Sequence, residues 1–182
     1  MRRSPLPSGF ALAALLALLT LPGTTRATSM VPQTLDELAT KSDAVVRVTT
    51  LATRTEWHNR VIVTIASMRV TDALLGSLAA GQEIEVATLG GVKDGLELHV
   101  AGAPRFTAGE DDILFLGAGT LAAWQVTDLA QGKFEVVRDA AGREGLSRRD
   151  LEGVEFSLGA LPSRLTLDNL KQRVRSSLRL AR

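Results

Sequence analysis

Cysteine is absent from this chain, and histidine occurs only twice, as His58 and His99. Each shortage closes a class of function. Without cysteine there is no disulfide framework, no thiol nucleophile and no zinc site built on thiolates. Two histidines rule out a structural zinc with four nitrogen or sulfur ligands and a catalytic zinc held by three histidines. A mixed histidine–carboxylate site would need a ligand spacing that the sequence does not show. No serine stands in a G-x-S-x-G elbow. The glycine-rich stretch LGGVKDG does not lead from a strand into a helix, so it is not a phosphate loop. No catalytic residues, metal ligands or cofactor are therefore expected.

Long apolar runs are scarce too. The longest, residues 10–21, is interrupted only by Thr20 and is too short to span a bilayer comfortably. Arg2 and Arg3 precede it, Pro22 and Gly23 end it, and Thr25 and Ala27 place small residues where a signal peptidase reads. The pattern predicts a secretory signal peptide over residues 1–27 and an exported protein, periplasmic or extracellular, with no integral membrane segment in the mature chain. The whole chain has 21 basic and 20 acidic residues; removing Arg2, Arg3 and Arg26 leaves 18 against 20, a net charge of −2. That balance gives no reason to expect a nucleic-acid partner.

What remains reads mainly as strands. Thr34-Leu35-Asp36-Glu37 is a capping box that predicts a short helix to about Lys41. Residues 44–53 are rich in valine and threonine and predict a strand, followed by a polar tip at 55–60. Residues 61–71 are apolar on both sides, which predicts a strand that bends or is covered on both faces. Ile84, Val86 and Thr88 alternate with Glu83 and Glu85, and Leu96, Leu98 and Val100 alternate with Glu97 and His99, giving two further strands with the first-named residues inward. Residues 113–116, 122–127 and 133–138 complete a β-rich unit over 28–138. Short strands at near-regular spacing indicate a small barrel. Residues 139–163 read as a surface connection with at most one strand, near 154–158. Residues 164–182 form an amphipathic helix with Leu167, Leu170, Val174 and Leu178 on one stripe.

The acid cluster Glu110-Asp111-Asp112 precedes an apolar strand. Period-two alternation puts Glu110 and Asp112 on one side and Asp111 on the other, so the three cannot converge on one ion; charges flanking such a strand act as its guard. Trp57-His58-Asn59-Arg60 is the candidate binding site, because tryptophan and arginine concentrate binding energy and loops on rigid barrels carry recognition. The plainer expectation is that Trp57 folds back over the barrel end. Trp124 alternates with Val126 and is expected in the core.

Residues 32–51, the long second strand and "EDDILFLG…AAWQVT" resemble the netrin-like module, an OB-type barrel shared with tissue inhibitors of metalloproteinases. Residues 30–138, with "VAGAPRFTAGE" and "QGKF", resemble exported bacterial proteins of uncharacterised function. The first resemblance implies a five-stranded barrel and a protease-contacting loop at residues 56–60. In those inhibitors a disulfide-pinned N-terminal cysteine reaches the target's zinc, whereas Thr28 would begin the mature chain here. The expectation is thus an OB-like (netrin-like) barrel that binds a protein or cell-envelope partner without catalysis. A cysteine-free protease inhibitor is the alternative, and an enzyme of unrecognised type ranks third.

Overall fold

Valine- and threonine-rich alternation folds most of the chain into strands. The computed structural model describes residues 29–119, 123–147, 149–151, 155–156 and 166–180. The expected signal peptide and Thr28 lie outside them. Strand β1 (Ser29–Met30) leads into helix α1 (Leu35–Lys41). Its capping box forms: Glu37 N–H donates to Thr34 Oγ1, and Thr34 N–H donates to Glu37 Oε2 at 2.7 Å. The chain continues through β2 (Ala44–His58), β3 (Val61–Leu75), β4 (Glu83–Leu89), β5 (Gly91–Lys93) and β6 (Leu96–Leu98). Then come β7 (Asp111–Ala118), β8 (Trp124–Val126), β9 (Lys133–Arg138), β10 (Glu144–Ser147) and β11 (Glu155–Phe156), and helix α2 (Leu167–Leu180) follows.

Five strands close a ring. β2 lies between β3 and β7; β3 pairs with β4; β4 meets β8 in parallel at Val86↔Trp124; and β8 returns to β7 at Leu116↔Val126. Counted in chain order the ring runs 1-2-3-5-4-1, an OB-like barrel. β9 and β10 extend the sheet from β7, whose Asp112–Leu114 half pairs with β9 while Leu116–Ala118 pairs with β8.

Period two then builds two cores on one set of strands. Val46, Val48, Ala66, Met68, Leu114 and Leu116 fill the barrel. Val45, Ile113, Phe115 and Phe134 face the other way and are covered by Leu38 of α1 and by Leu167, Leu170 and Val174 of α2. β3 is indeed covered on both faces, with Val63 and Ile65 buried beside Ala87 on the outer side. Thr166 caps α2 by accepting from Asn169 N–H at 3.3 Å. Leu178 lies outside the residues with described side chains.

Three expectations need correction. The segment 55–60 is not a loop: β2 runs to His58, and only Asn59 and Arg60 turn, because β-branched pairing keeps the hairpin extended. Residues 96–100 do not form a barrel strand. Leu96 is 58% exposed and pairs with Lys93 in a separate hairpin. Gly90 and Gly91, at φ 103° and 129°, swing the chain out of the barrel, and a Cβ on Gly90 would meet Leu98 O at 2.8 Å. Past Arg138 the sheet gains β10, paired antiparallel with β9. Arg47 holds it there: Nη2 lies 2.8 Å from Glu144 Oε1, and Nε lies 2.8 Å from Asp111 Oδ1. The Arg47 hydrogen bonds, with those of Arg138 second, hold Glu144 down to a pKa of about 2.

The second core rests on Phe115, fully buried with its ring centroid 5.7 Å from that of Phe134. Phe115→Ala is expected to cost about 3–5 kcal/mol. Urea denaturation checks it; a loss below about 1 kcal/mol would mean that α1 and α2 do not depend on this face.

Candidate functional site

The β2–β3 hairpin presents Trp57, His58, Asn59 and Arg60 together at one end of the barrel. Asn59 and Arg60 adopt φ 46° and 70°, the left-handed pair of a two-residue hairpin turn. His58, Asn59 and Arg60 are exposed, and Asn59 Nδ2 lies 3.2 Å from His58 Nε2. The strand pleat divides the four. Trp57 shares the barrel-facing side with Thr55 and Thr53, whereas His58 lies on the opposite side. The Trp57 indole N–H donates to Asp94 Oδ2 at 2.7 Å, yet the side chain remains 43% exposed. Trp57 is therefore fastened to the β5–β6 turn at the rim, and it is neither free nor buried. Val92 and Leu96 of that hairpin are also exposed.

Below this rim lies a cavity of about 360 Å³ in the barrel mouth. Thr53, Thr55, Thr64 and Thr88 line it on the barrel side, and His99 and Arg105 approach from the segment after β6. Two hydroxyls fasten the β5–β6 hairpin over the mouth: Thr55 Oγ1 donates to Val92 O and Thr64 Oγ1 to Gly90 O, each at 2.7 Å. Gly91 is required at that crossing, since a Cβ there would stand 2.6 Å from Thr64 Oγ1. His99 is exposed, as expected, and Trp124 packs half-buried against the barrel core.

A charged cluster lies inside the wall next to the mouth. Asp112 shares its side of β7 with Leu114 and Leu116 and is completely buried, and neither carboxyl oxygen has a hydrogen-bond partner. Its nearest cation is Lys133 Nζ, 3.9 Å from Oδ1. Lys133, itself buried, donates to Arg105 O and to Asp150 Oδ2 at 3.1 Å, reaches Glu110 Oε2 at 3.5 Å, and sits 5.0 Å above the Phe106 ring. These contacts tie the 102–107 loop to β7, β9 and the turn at Arg149–Leu151. Burial pushes Asp112 up to a pKa of about 7; Lys133 opposes the rise, and Glu110, Glu135 and Asp150 add to it. Asp111 faces outward to Arg47. Glu110 and Asp112 thus do share a side, but Asp112 is a core residue and not the solvated guard expected from the sequence. The signal was present in the parity of 112, 114 and 116.

This cluster holds structure together. A general acid or base must reach its substrate, and Asp112 is enclosed. Among the described residues, no group of three histidine or carboxylate side chains converges to hold a metal.

The Asp112 carboxyl rises from 3.8 to about 7 on folding, so its neutral form favours the folded chain; that advantage is complete below pH 4 and lost as pH climbs through 7. Asp112→Asn keeps the site neutral. Relative to the parent protein, it should gain stability between pH 4 and pH 8, on the order of 4 kcal/mol. Denaturant titrations of both proteins across that range test this, and a difference independent of pH would mean that Asp112 is ionised at both ends.

No protein-family model matches the chain, and no curated protein matches it either.

Proposed function

We propose that the protein is an exported, non-catalytic binding module that meets a protein or cell-envelope partner through the elements at one end of its barrel. The observation that carries this reading is the rim itself: an exposed tryptophan fixed by a hydrogen bond, with Arg60 at the turn and exposed Val92 and Leu96 beside it. An aromatic already held in place loses little freedom on binding, which is what concentrates affinity in tryptophan and arginine anchors. The cavity behind the rim adds concave surface with hydroxyl groups for orientation. Export rests on the basic, apolar and small-residue pattern of residues 1–27. Among the described residues, no helix is long and apolar enough to cross a membrane.

The inhibitor alternative has less to support it. The resemblance couples the N-terminus with the hairpin tip, but residues 31–33 are held by Gln131, beside the start of β2. The tip stands at the far end of that 15-residue strand, roughly 45 Å away along its length.

With the protein immobilised, the double variant Trp57→Ala, Arg60→Ala should capture its partner from an envelope extract at least about tenfold less well. Circular dichroism must show both proteins folded. Undiminished capture by the folded variant would remove the tip from the function.

A further inference from the structure

The outer half of β2 outruns its neighbour. β3 accompanies β2 to the end, at His58↔Val61, whereas the β7 ladder stops at Thr49↔Asp111. The last contacts on that edge run from Thr50 N–H to Glu110 O and from Gly109 N–H to Thr50 O. Among the described residues, the backbone of residues 51–58 has no partner except β3. The hairpin is open on this side alone, because β4 pairs along β3 to Val63 and Gly90 N–H then bonds Ile62 O.

Pairing parity identifies the groups at the open edge. Ile62 and Val70 turn their backbone groups toward the β4 side, so the even-numbered residues of β3 do so throughout. Their partners on β2 are Thr53 opposite Ala66, Thr55 opposite Thr64 and Trp57 opposite Ile62. These three therefore direct N–H and C=O away from β3. Donor and acceptor recur every second residue, roughly 6.8 Å apart. A repeating donor–acceptor ladder of that spacing is the complement of another polypeptide backbone.

Among the described residues, a cavity rather than a paired strand lies beside this edge. Thr53 and Thr55 line one side of the mouth cavity and Arg105 and Thr107 another, where a longer β7 would have run. Charge at the edge is already neutralised: Arg54 Nη2 lies 3.1 Å from Glu85 Oε2, and Arg54 Nε lies 3.8 Å from Glu56 Oε2.

We propose that this edge receives an extended segment of a partner protein, which adds as a further strand beside residues 51–58. The ladder supplies affinity, and side chains of alternate residues enter the threonine-lined mouth. The segment is a β-forming stretch of roughly five to eight residues, uncharged at its centre, with an apolar residue where it passes Trp57. The inference rests on the binding-module reading and names the chemistry of its partner.

The test uses an octapeptide selected on the folded protein from a displayed random library and then synthesised. Thr53→Pro deletes one edge-facing N–H, a change that edge strands tolerate, and should weaken the octapeptide about tenfold. Thr53→Val keeps the N–H and should bind within about twofold. N-methylating the octapeptide's amides one at a time should impair binding to the unaltered protein with a two-residue period, which needs no variant to fold. Equal losses from the proline and valine variants, methylation losses without that period, or failure to select any octapeptide would each overturn the inference. A dimer of the protein that Thr53→Pro dissolves would overturn it in favour of a second copy of the chain. If the native partner is lost from the Trp57, Arg60 double variant but kept by folded Thr53→Pro, strand addition fails while the binding module stands.

Discussion

β7 is buried on both faces, and most of the architecture depends on that constraint. Leu114 and Leu116 point into the barrel, and Ile113 and Phe115 point into the second core. A strand with two apolar faces needs two covers. The barrel provides one; α1 and α2 provide the other, which is why helices from opposite ends of the chain meet over the same sheet. The outer edge of β7 is divided as well, between β9 and β8. That division lets a short β8 close the ring while β9 and β10 continue the sheet. The early end of the ladder at Asp111 leaves the far half of β2 unaccompanied.

The same parity explains a buried carboxyl without a hydrogen-bond partner. Two positions before Leu114, on the barrel side, is Asp112. Its carboxyl gains no hydrogen bond, and Lys133 is too distant to donate one. Lys133 spends its donors on Arg105 O, Glu110 and Asp150. Several carboxylates around one amine, in surroundings that screen poorly, favour the neutral form of the most buried. The arrangement is expensive as stabilisation but specific as a join: it fixes a loop without regular structure, 102–107, at the edge of the mouth, and so sets one wall of the cavity.

Much of the fold was legible because alternation is a strong signal when one face is buried. The capping box at Thr34, the two-sided β3, the β9 strand and the stripe of α2 all follow from apolar spacing. The misreadings have physical causes. Leu96 and Leu98 alternate with polar residues as barrel strands do, yet the left-handed glycines before them turn that hairpin outward. β10 has only four residues and an arginine-bridged attachment, so its pairing is written in Arg47 and Glu144, about a hundred positions apart. For the site, the sequence located the tip residues but not their division between two faces, nor Asp94 as the anchor of Trp57. Such long-range partners leave no local period.

A free strand edge carries a hazard, and the surroundings of β2 show how it is contained without being closed. The pairing shifts register between Thr50 and Ala52, which sets Leu51 out of step and twists the hairpin where it leaves the barrel. Arg54, Glu56 and Glu85 place charge on the outer face, a common defence against edge-to-edge pairing. On the inner face the β5–β6 hairpin crosses over Thr55 and Thr64, and the 102–107 loop flanks the cavity. Approach is thus restricted to a narrow strip above the mouth, bounded by Trp57 at one end and the Gly109 contact with Thr50 at the other. A second folded barrel presenting its own hairpin would bring its bulk against the loop of Arg105, which lines the same cavity as Thr53 and Thr55. A single extended chain would not, and that difference in shape favours a peptide over self-association.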